Sequence, residues 1–372
     1  MRVTIERADL LRSLTHVQSV VERRNTIPIL SNLLIKAEGS SVQLSATDLD
    51  IEVVESSAAE VAQAGATTAP AHMMYDIVRK LPDGAQLEIT QGPDENRLAI
   101  FAGRSRFSLA ALPSEDFPDL ATGDMTHSFQ LAAADLKGLI EKTRFAISTE
   151  ETRYYLNGIY LHSVDTDNGP MLRAVATDGH RLAQVQVALP SGAADMPGII
   201  VPRKTVQELS KLLEDSEAEV DISLSAAKIQ FSVGSVVLTS KLIDGTFPDY
   251  ERVIPKDNDK ALEVDTKLFS QAVDRVSTIS AEKGRAIKLN LEADKIVLTV
   301  NNPDSGSAEE EVAAGYASDP IEIGFNSRYL LDIASQFGGD TATFMLSDAG
   351  SPTVVQDGTD DTALYVLMPM RV

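Results

Sequence analysis

The residues best placed to do chemistry stand together in Thr177-Asp178-Gly179-His180-Arg181. A carboxylate two residues from an imidazole could relay a proton or share a divalent metal, the makings of a metal-dependent phosphoesterase. The rest of the chain points elsewhere. Thr47-Asp48-Leu49-Asp50, 130 residues earlier, keeps the Thr-Asp pair without the histidine, so the pair reads as a turn at a strand end. His16, His72, His127, His162 and His180 form no H-x-x-H or H-x-x-x-H pair, the spacing that aims two imidazoles at one ion. No Walker-type loop, G-x-G-x-x-G or G-x-S-x-G occurs. The absence of cysteine removes disulfides, thiolate metal sites and cysteine nucleophiles. Glu309-Glu310-Glu311 reads as a solvated or salt-bridging face rather than a cation site. No catalytic residue, metal or cofactor is expected.

A binding site is better supported than a catalytic one. The tail Tyr365-Val366-Leu367-Met368-Pro369-Met370-Arg371-Val372 is apolar to its last residue, where tails are commonly polar and frayed. A final strand accounts for 365–367, and Pro369 should end it. Met370 and Val372 then need another reason to be apolar, and an adaptable surface that takes up partners supplies one.

The elements that carry these residues come in threes. Ala46-Thr47-Asp48 returns as Ala176-Thr177-Asp178, and Phe117-Pro118-Asp119 as Phe247-Pro248-Asp249, both 130 residues on. A fainter third copy, Val300-Asn301-Asn302, lies 124 residues beyond Ala176-Thr177-Asp178. Such self-similarity sets the architecture. Each third opens on an alternating strand and an amphipathic helix: 3–7 then 9–24, 128–131 then 134–144, 262–264 then 266–276. Second helices begin near Pro70, Pro202 and Asn326, residues suited to a helix start. Paired strands follow, among them 87–90 with 97–101, 220–225 with 228–233 and 343–346 with 353–356. About two helices and eight strands per third give an α+β fold of three similar tandem domains, 1–125, 126–254 and 255–372, with helices packed on antiparallel sheets. Three beads on a string is the bland alternative to a curved or closed assembly.

Charge divides along the same lines. The chain has 33 Lys and Arg against 55 Asp and Glu, a net charge of −22. Spread evenly, that would repel nucleic acid and anionic membranes. The six helical segments 8–24, 71–80, 134–144, 202–213, 265–276 and 325–337 nevertheless hold 14 basic against 9 acidic residues. In the first, Leu10, Leu14, Val17 and Val21 share one face, and Arg12, His16, Ser19 and Arg23 the opposite one. Helices that shared one surface could touch phosphates without reading bases. The cations available on or beside them are Arg24, Arg79, Lys80, Lys137, Arg144, Arg203, Lys204, Lys211, Lys283 and Arg285. Aromatics make up only 5% and tryptophan is absent, so a base-stacking, single-strand-binding surface is not expected. No apolar run is long enough to span a bilayer and the N-terminus is not a signal peptide, which predicts a cytoplasmic protein.

Arg153-Tyr154-Tyr155-Leu156-Asn157-Gly158, the segments 176–183 (ATDGHRLA) and 246–253 (TFPDYERV), the threefold repeat and the terminal MPMRV together resemble the bacterial DNA polymerase III beta subunit, the sliding clamp, along the whole chain. The resemblance implies a non-catalytic processivity factor. Two chains would join head to tail in a ring around duplex DNA, helices inside. The clamp loader and DNA polymerases would be its partners, with no cofactor. It implies a pocket for short linear motifs between domains two and three. Tyr155 and Leu156 would supply one wall, and Thr177, Gly179, His180, Arg181 and Leu182 a second. Pro248, Arg252 and Val253 would come from TFPDYERV, with Asn326 and Tyr329 on the rim. Val366, Met368, Pro369, Met370, Arg371 and Val372 would come from the tail. At the ring interface, Phe107 and Leu109 on an edge strand would meet Thr278 and Ile279, with Glu309 and Glu310 adding ion pairs. A scaffold that binds proteins but never DNA is the remaining alternative.

Overall fold

A computed structural model describes residues 1–91, 96–120, 123–214, 217–280 and 285–371. Among them are six α-helices, two per repeat: α1 (Arg7–Gln18), α2 (Ala71–Lys80), α3 (Ala133–Arg144), α4 (Arg203–Leu212), α5 (Thr266–Ser277) and α6 (Ser327–Ala334). Pro70 and Pro202 directly precede α2 and α4. Asn326 caps α6, its side-chain oxygen accepting from the Arg328 and Tyr329 amides. Around the helices run nine strands in the first repeat and eight in each of the others, paired antiparallel throughout as expected.

The first helix is shorter than its apolar spacing predicts. It stops at Gln18, where the Ser19 hydroxyl donates to the His16 carbonyl and the chain turns through Val20 and Val21. Both valines remain buried, so the helical period continued into a turn that uses the same apolar positions. Arg23 and Arg24 therefore lie beyond the helix and are exposed. The polar face of α1 also differs from expectation. Glu55, 1% exposed, accepts from His16 Nδ1 at 2.8 Å and lies 3.9 Å from Arg12 Nε. A buried carboxylate needs such partners, so part of that basic row serves the protein's own interior.

The chain forms two compact units, residues 1–137, 190–197 and 204–242 in one, and residues 138–189, 198–203 and 243–372 in the other. The division falls inside the second repeat because both repeat seams are hydrogen-bonded sheet. In the first unit, Val236–Lys241 pairs antiparallel with Ile51–Ala58, joining repeats one and two in an eight-stranded sheet. In the second, Arg181–Ala188 pairs with Asp360–Leu367, joining repeats two and three in a twelve-stranded sheet. Beads on a string are thus excluded. The first unit also holds a five-stranded sheet that ends on the edge strand Ser105–Ala110. Alternation builds these layers: along Lys228–Val233 every second residue is buried.

The Thr-Asp motif is a turn in the first two repeats, and its faint third copy keeps the turn with asparagine. Asp48 Oδ1 accepts from the Asp50 and Ile51 amides, and Asp178 Oδ1 from the His180 and Arg181 amides, at 2.9–3.0 Å. In the third repeat Asn302 Oδ1 accepts from the Asp304 amide at 3.1 Å. An Asx side chain bonding its own backbone two residues on needs no histidine. Gly179 sits at φ +88° in this turn, and Leu49 at φ +80° in the first-repeat copy.

Candidate partner-binding pocket

The second-repeat turn opens onto a cavity. The Asp178 carboxylate holds the turn: besides the two amides, its Oδ2 accepts from Arg181 Nε at 3.1 Å. His180 is exposed and only its backbone is bonded to Asp178. The carboxylate serves the turn and Arg181 rather than the His180 imidazole. Among the described residues no cluster of three metal-binding side chains occurs.

Arg181 pins the site. Its guanidinium, 9% exposed, donates to Asp332 Oδ2 and the Phe145 carbonyl, both at 2.6 Å. It also lies over the rings of Phe145 and Tyr329, at 5.0 and 4.2 Å from their centroids. Charge-assisted bonds and stacking on two faces fix this side chain. Its backbone pairs with Leu367, and Leu182 pairs with Val366, so the last strand is zipped to the turn. Beyond that strand the Met368 amide donates to the His180 carbonyl at 2.9 Å, and the Met370 amide to the Gly324 carbonyl at 2.8 Å. The apolar tail is thus held in place rather than frayed.

Beside the zipped strand lies a cavity of about 270 Å³. Its walls include Tyr155, Leu156, Thr177, Gly179, Arg181, Leu182, Pro248, Val253, Val366 and Met368, all of them implied by the family resemblance. Leu156, Leu182 and Val366 are buried and join Val175, Ile200, Phe247 and Tyr250 in one apolar cluster. Val253 and Met368 are exposed at the mouth, 47% and 37%. An apolar cleft with large side chains left open at its rim accepts apolar side chains of a partner. Three lining residues were not expected: Arg153, Asp249 and Tyr250. Arg153 donates from one terminal nitrogen to the Asp178 carbonyl at 3.0 Å and bonds Glu150. That bond holds the Glu150 carboxyl below its ordinary pKa. The only signals for Arg153 and Tyr250 were their places inside RYYLNG and TFPDYERV.

The other expected pocket residues lie nearby without lining the cavity. Tyr329 supports Arg181, and Asn326 caps α6. Arg252 is 83% exposed and pairs with Asp249 at 2.6 Å. His180, Pro369, Met370 and Arg371 follow the turn and the tail. Val372 and Lys283 lie outside the described residues.

Profiles of the DNA polymerase III beta subunit match the chain three times: the N-terminal domain at residues 1–121, the central domain at 130–249 and the C-terminal domain at 251–371. The chain belongs to the DNA polymerase III beta subunit family, the beta sliding clamps. The Caulobacter vibrioides beta sliding clamp is 54% identical over 372 residues, all of both chains, and the Escherichia coli clamp 39% identical over full length. A solved Bartonella birtlesii sliding clamp bound to griselimycin is 58% identical, covers all of both chains and superposes with a TM-score of 0.97. A Caulobacter crescentus clamp, with polyethylene glycol at a putative tethering region, is 54% identical over all of this chain and 99% of its own, with a TM-score of 0.98. A beta sliding clamp is a non-catalytic processivity subunit of the polymerase holoenzyme, so the absorption of Asp178 into a turn fits the family.

The remaining clamp surfaces are unevenly prepared. Arg24, Lys80, Arg203 and Arg285 are exposed and make no ion pair with a described residue. Arg79, Arg144 and Lys211 each pair with a carboxylate three residues back, Asp76, Glu141 and Glu208; the Arg79–Asp76 pair is exposed and worth little, whereas Glu208 is buried. Lys137 donates to the Glu214 carbonyl. Lys204 is the most committed: its ammonium meets Asp48, Glu22 and the Val20 carbonyl. Phe107 is half-buried and Leu109 is 4% exposed, both facing their own repeat, because inward positions alternate along the edge strand. Thr278 is exposed at the α5 C-cap and its hydroxyl bonds the Asp274 carbonyl; the Ile279 carbonyl accepts from Asn302.

Proposed function

We propose that two copies of this chain join head to tail into a ring that encircles duplex DNA without reading sequence. Polymerases and the clamp loader dock short linear motifs in the cavity, in the bacterial cytoplasm. Domain boundaries fall near residues 125 and 254. Ring closure is supported by two open strand edges of opposite charge. Among the described residues Ser105–Ala110 has a neighbour on one side only; exposed Arg104 precedes it and exposed Arg106 lies on it. The segment 306–313 pairs, among the described residues, only with 295–302, and it carries exposed Glu309 and Glu311. Two such edges satisfy each other's backbone groups across protomers and remove an aggregation hazard. Phe107 and Leu109 then act through the strand they anchor. Arg24, Lys80, Arg203 and Arg285, which pair with no carboxylate among the described residues, carry most of the phosphate contact.

The observation that carries the reading is the apolar cavity beside the zipped tail, open at Val253 and Met368. Docked partners stay at high local concentration after letting go of the primer end, which is how a non-enzyme confers processivity. Deleting residues 368–372 should abolish binding of a Leu-Phe-terminated peptide and leave the dimer mass unchanged, measured by fluorescence anisotropy and light scattering. Retained peptide binding would place the site elsewhere, and a lost dimer would tie the tail to the ring interface instead.

A further inference from the structure

Behind the cavity wall lies a polar network that packing alone does not require. Tyr250, which lines the cavity, turns its hydroxyl inward to His162 Nε2 and to a terminal nitrogen of Arg173, both at 3.0 Å. His162 Nδ1 is 3.0 Å from the Ser163 carbonyl. The imidazole stacks on Tyr160 with centroids 4.6 Å apart, and Tyr160 stacks on Phe247 at 4.8 Å. Arg173, 8% exposed, also donates to Gln186 Oε1 and to Glu251.

The donors and acceptors have one consistent assignment. A carbonyl only accepts, so Nδ1 of His162 carries the hydrogen toward Ser163. Arg173 only donates, so the Tyr250 oxygen accepts from it. The Tyr250 hydroxyl hydrogen is then free to donate to the lone pair on His162 Nε2. Every bond is satisfied with His162 neutral. A second proton on Nε2 would turn that bond around: the Tyr250 oxygen would accept from both Nε2 and Arg173, its own hydrogen would lose its acceptor, and two cations would converge on one hydroxyl, which loosens the hold on Tyr250.

We propose that His162 is a positioning residue for the partner pocket: in its neutral form it holds Tyr250 in the cavity wall, and its protonation releases that wall and weakens binding. The inference rests on reading the cavity as the peptide site. The groups that face the imidazole are Tyr160 on its own strand, Arg173 on the neighbouring strand, and Tyr250 and Glu251 on the short helix Tyr250–Val253. Burial holds the His162 pKa below its ordinary value, Arg173 adds to this, and the Ser163 carbonyl and Glu251 oppose it. The neutral form therefore prevails at neutral pH and is lost only as pH falls below the usual histidine range.

The test uses the full-length protein and a tetramethylrhodamine-labelled peptide ending in Leu-Phe, with no titratable side chain. Anisotropy is read from pH 8 to pH 5, with melting temperature checked at each pH. Wild-type binding that Met368→Asp abolishes first establishes the pocket; no wild-type binding at any pH would remove the reading and the inference with it. Wild-type affinity should be level above neutrality and fall about fivefold in acid, the worth of one hydrogen bond. His162→Gln keeps an acceptor near Nε2 and cannot titrate, so it should bind like wild type at pH 7.5 and lose most of the acid weakening. His162→Leu should bind about fivefold more weakly at pH 7.5. His180 is present in all three proteins, so its effect drops out of the comparison. Identical affinities and identical pH curves for wild type, His162→Gln and His162→Leu, with unchanged melting, would overturn the proposal.

Discussion

Replacing Arg181 with methionine should damage stability and partner binding together. Methionine keeps much of the stem's volume and removes all five N–H donors. Three acceptors are then left without their partner: Asp332 Oδ2 and the Phe145 carbonyl, both 2.6 Å from the guanidinium, and Asp178 Oδ2 at 3.1 Å. The stacking against Phe145 and Tyr329 also goes. Removing one partner of a buried ion pair costs about 3–5 kcal/mol. The Asp332 side chain is 29% exposed and Asp178 17%, so both recover some hydration and the low end applies, about 3 kcal/mol. For a unit of this size that is roughly 6–12 °C in melting temperature. Differential scanning calorimetry reads it directly. Peptide affinity should fall in parallel, because Arg181 anchors the turn to which the tail strand is zipped. Arg181→Lys restores charge without the planar fork and should recover less than half of the loss. If Arg181→Met melted within a degree or two of wild type and bound peptide normally, the assignment of Arg181 as the pin of the pocket would be wrong.

On a linear duplex, Arg24→Ala or Arg203→Ala should flatten the salt dependence of affinity by about 0.9 for each phosphate no longer neutralised, whereas Lys204→Ala should lower the melting temperature of its unit more than DNA affinity; equal slopes for all three would show that the free cations face elsewhere. Burial would raise the Asp357 pKa, but hydrogen bonds from the Thr359, Gly339 and Gly338 amides and the Thr359 hydroxyl outweigh it and hold the pKa below the ordinary value. Its stabilising effect is therefore present above the unfolded-state pKa and lost as pH falls through the folded one. Asp357→Asn should cost about 1–2 kcal/mol at pH 7, with the gap to wild type closing in acid below about pH 4; a gap independent of pH in urea melts would contradict that account.

Local chemistry was legible in the sequence and long-range pairing was not. The Thr-Asp turns, the helix starts at Pro70, Pro202 and Asn326, and the alternating strands each depend on neighbours a few residues away, and each stands in place. The cavity's residues came from the resemblance to the sliding-clamp family, carried by RYYLNG, ATDGHRLA and TFPDYERV; the residues alone pointed only to a partner-binding tail. What escaped depends on residues far apart in sequence. Nothing near Lys204 announces that its ammonium meets Asp48, 156 residues away. His16 and Arg12 look like a solvent-facing row until Glu55 is seen buried beneath them. The continuation of sheets across both repeat seams follows from edge pairing, which alternation does not encode. Tyr250 belongs to the buried apolar cluster, and its second role depends on a hydroxyl that faces His162, 88 residues distant.

The most direct test of the clamp account is retention on DNA of differing topology. The protein, placed by its loader on a nicked circular plasmid, should remain bound through gel filtration in high salt and be shed once the circle is cut at one site, because a ring held by topology slides off a free end. Equal retention on circular and linearised plasmid, or loss from both in salt, would contradict an encircling clamp and leave the chain a protein-binding scaffold.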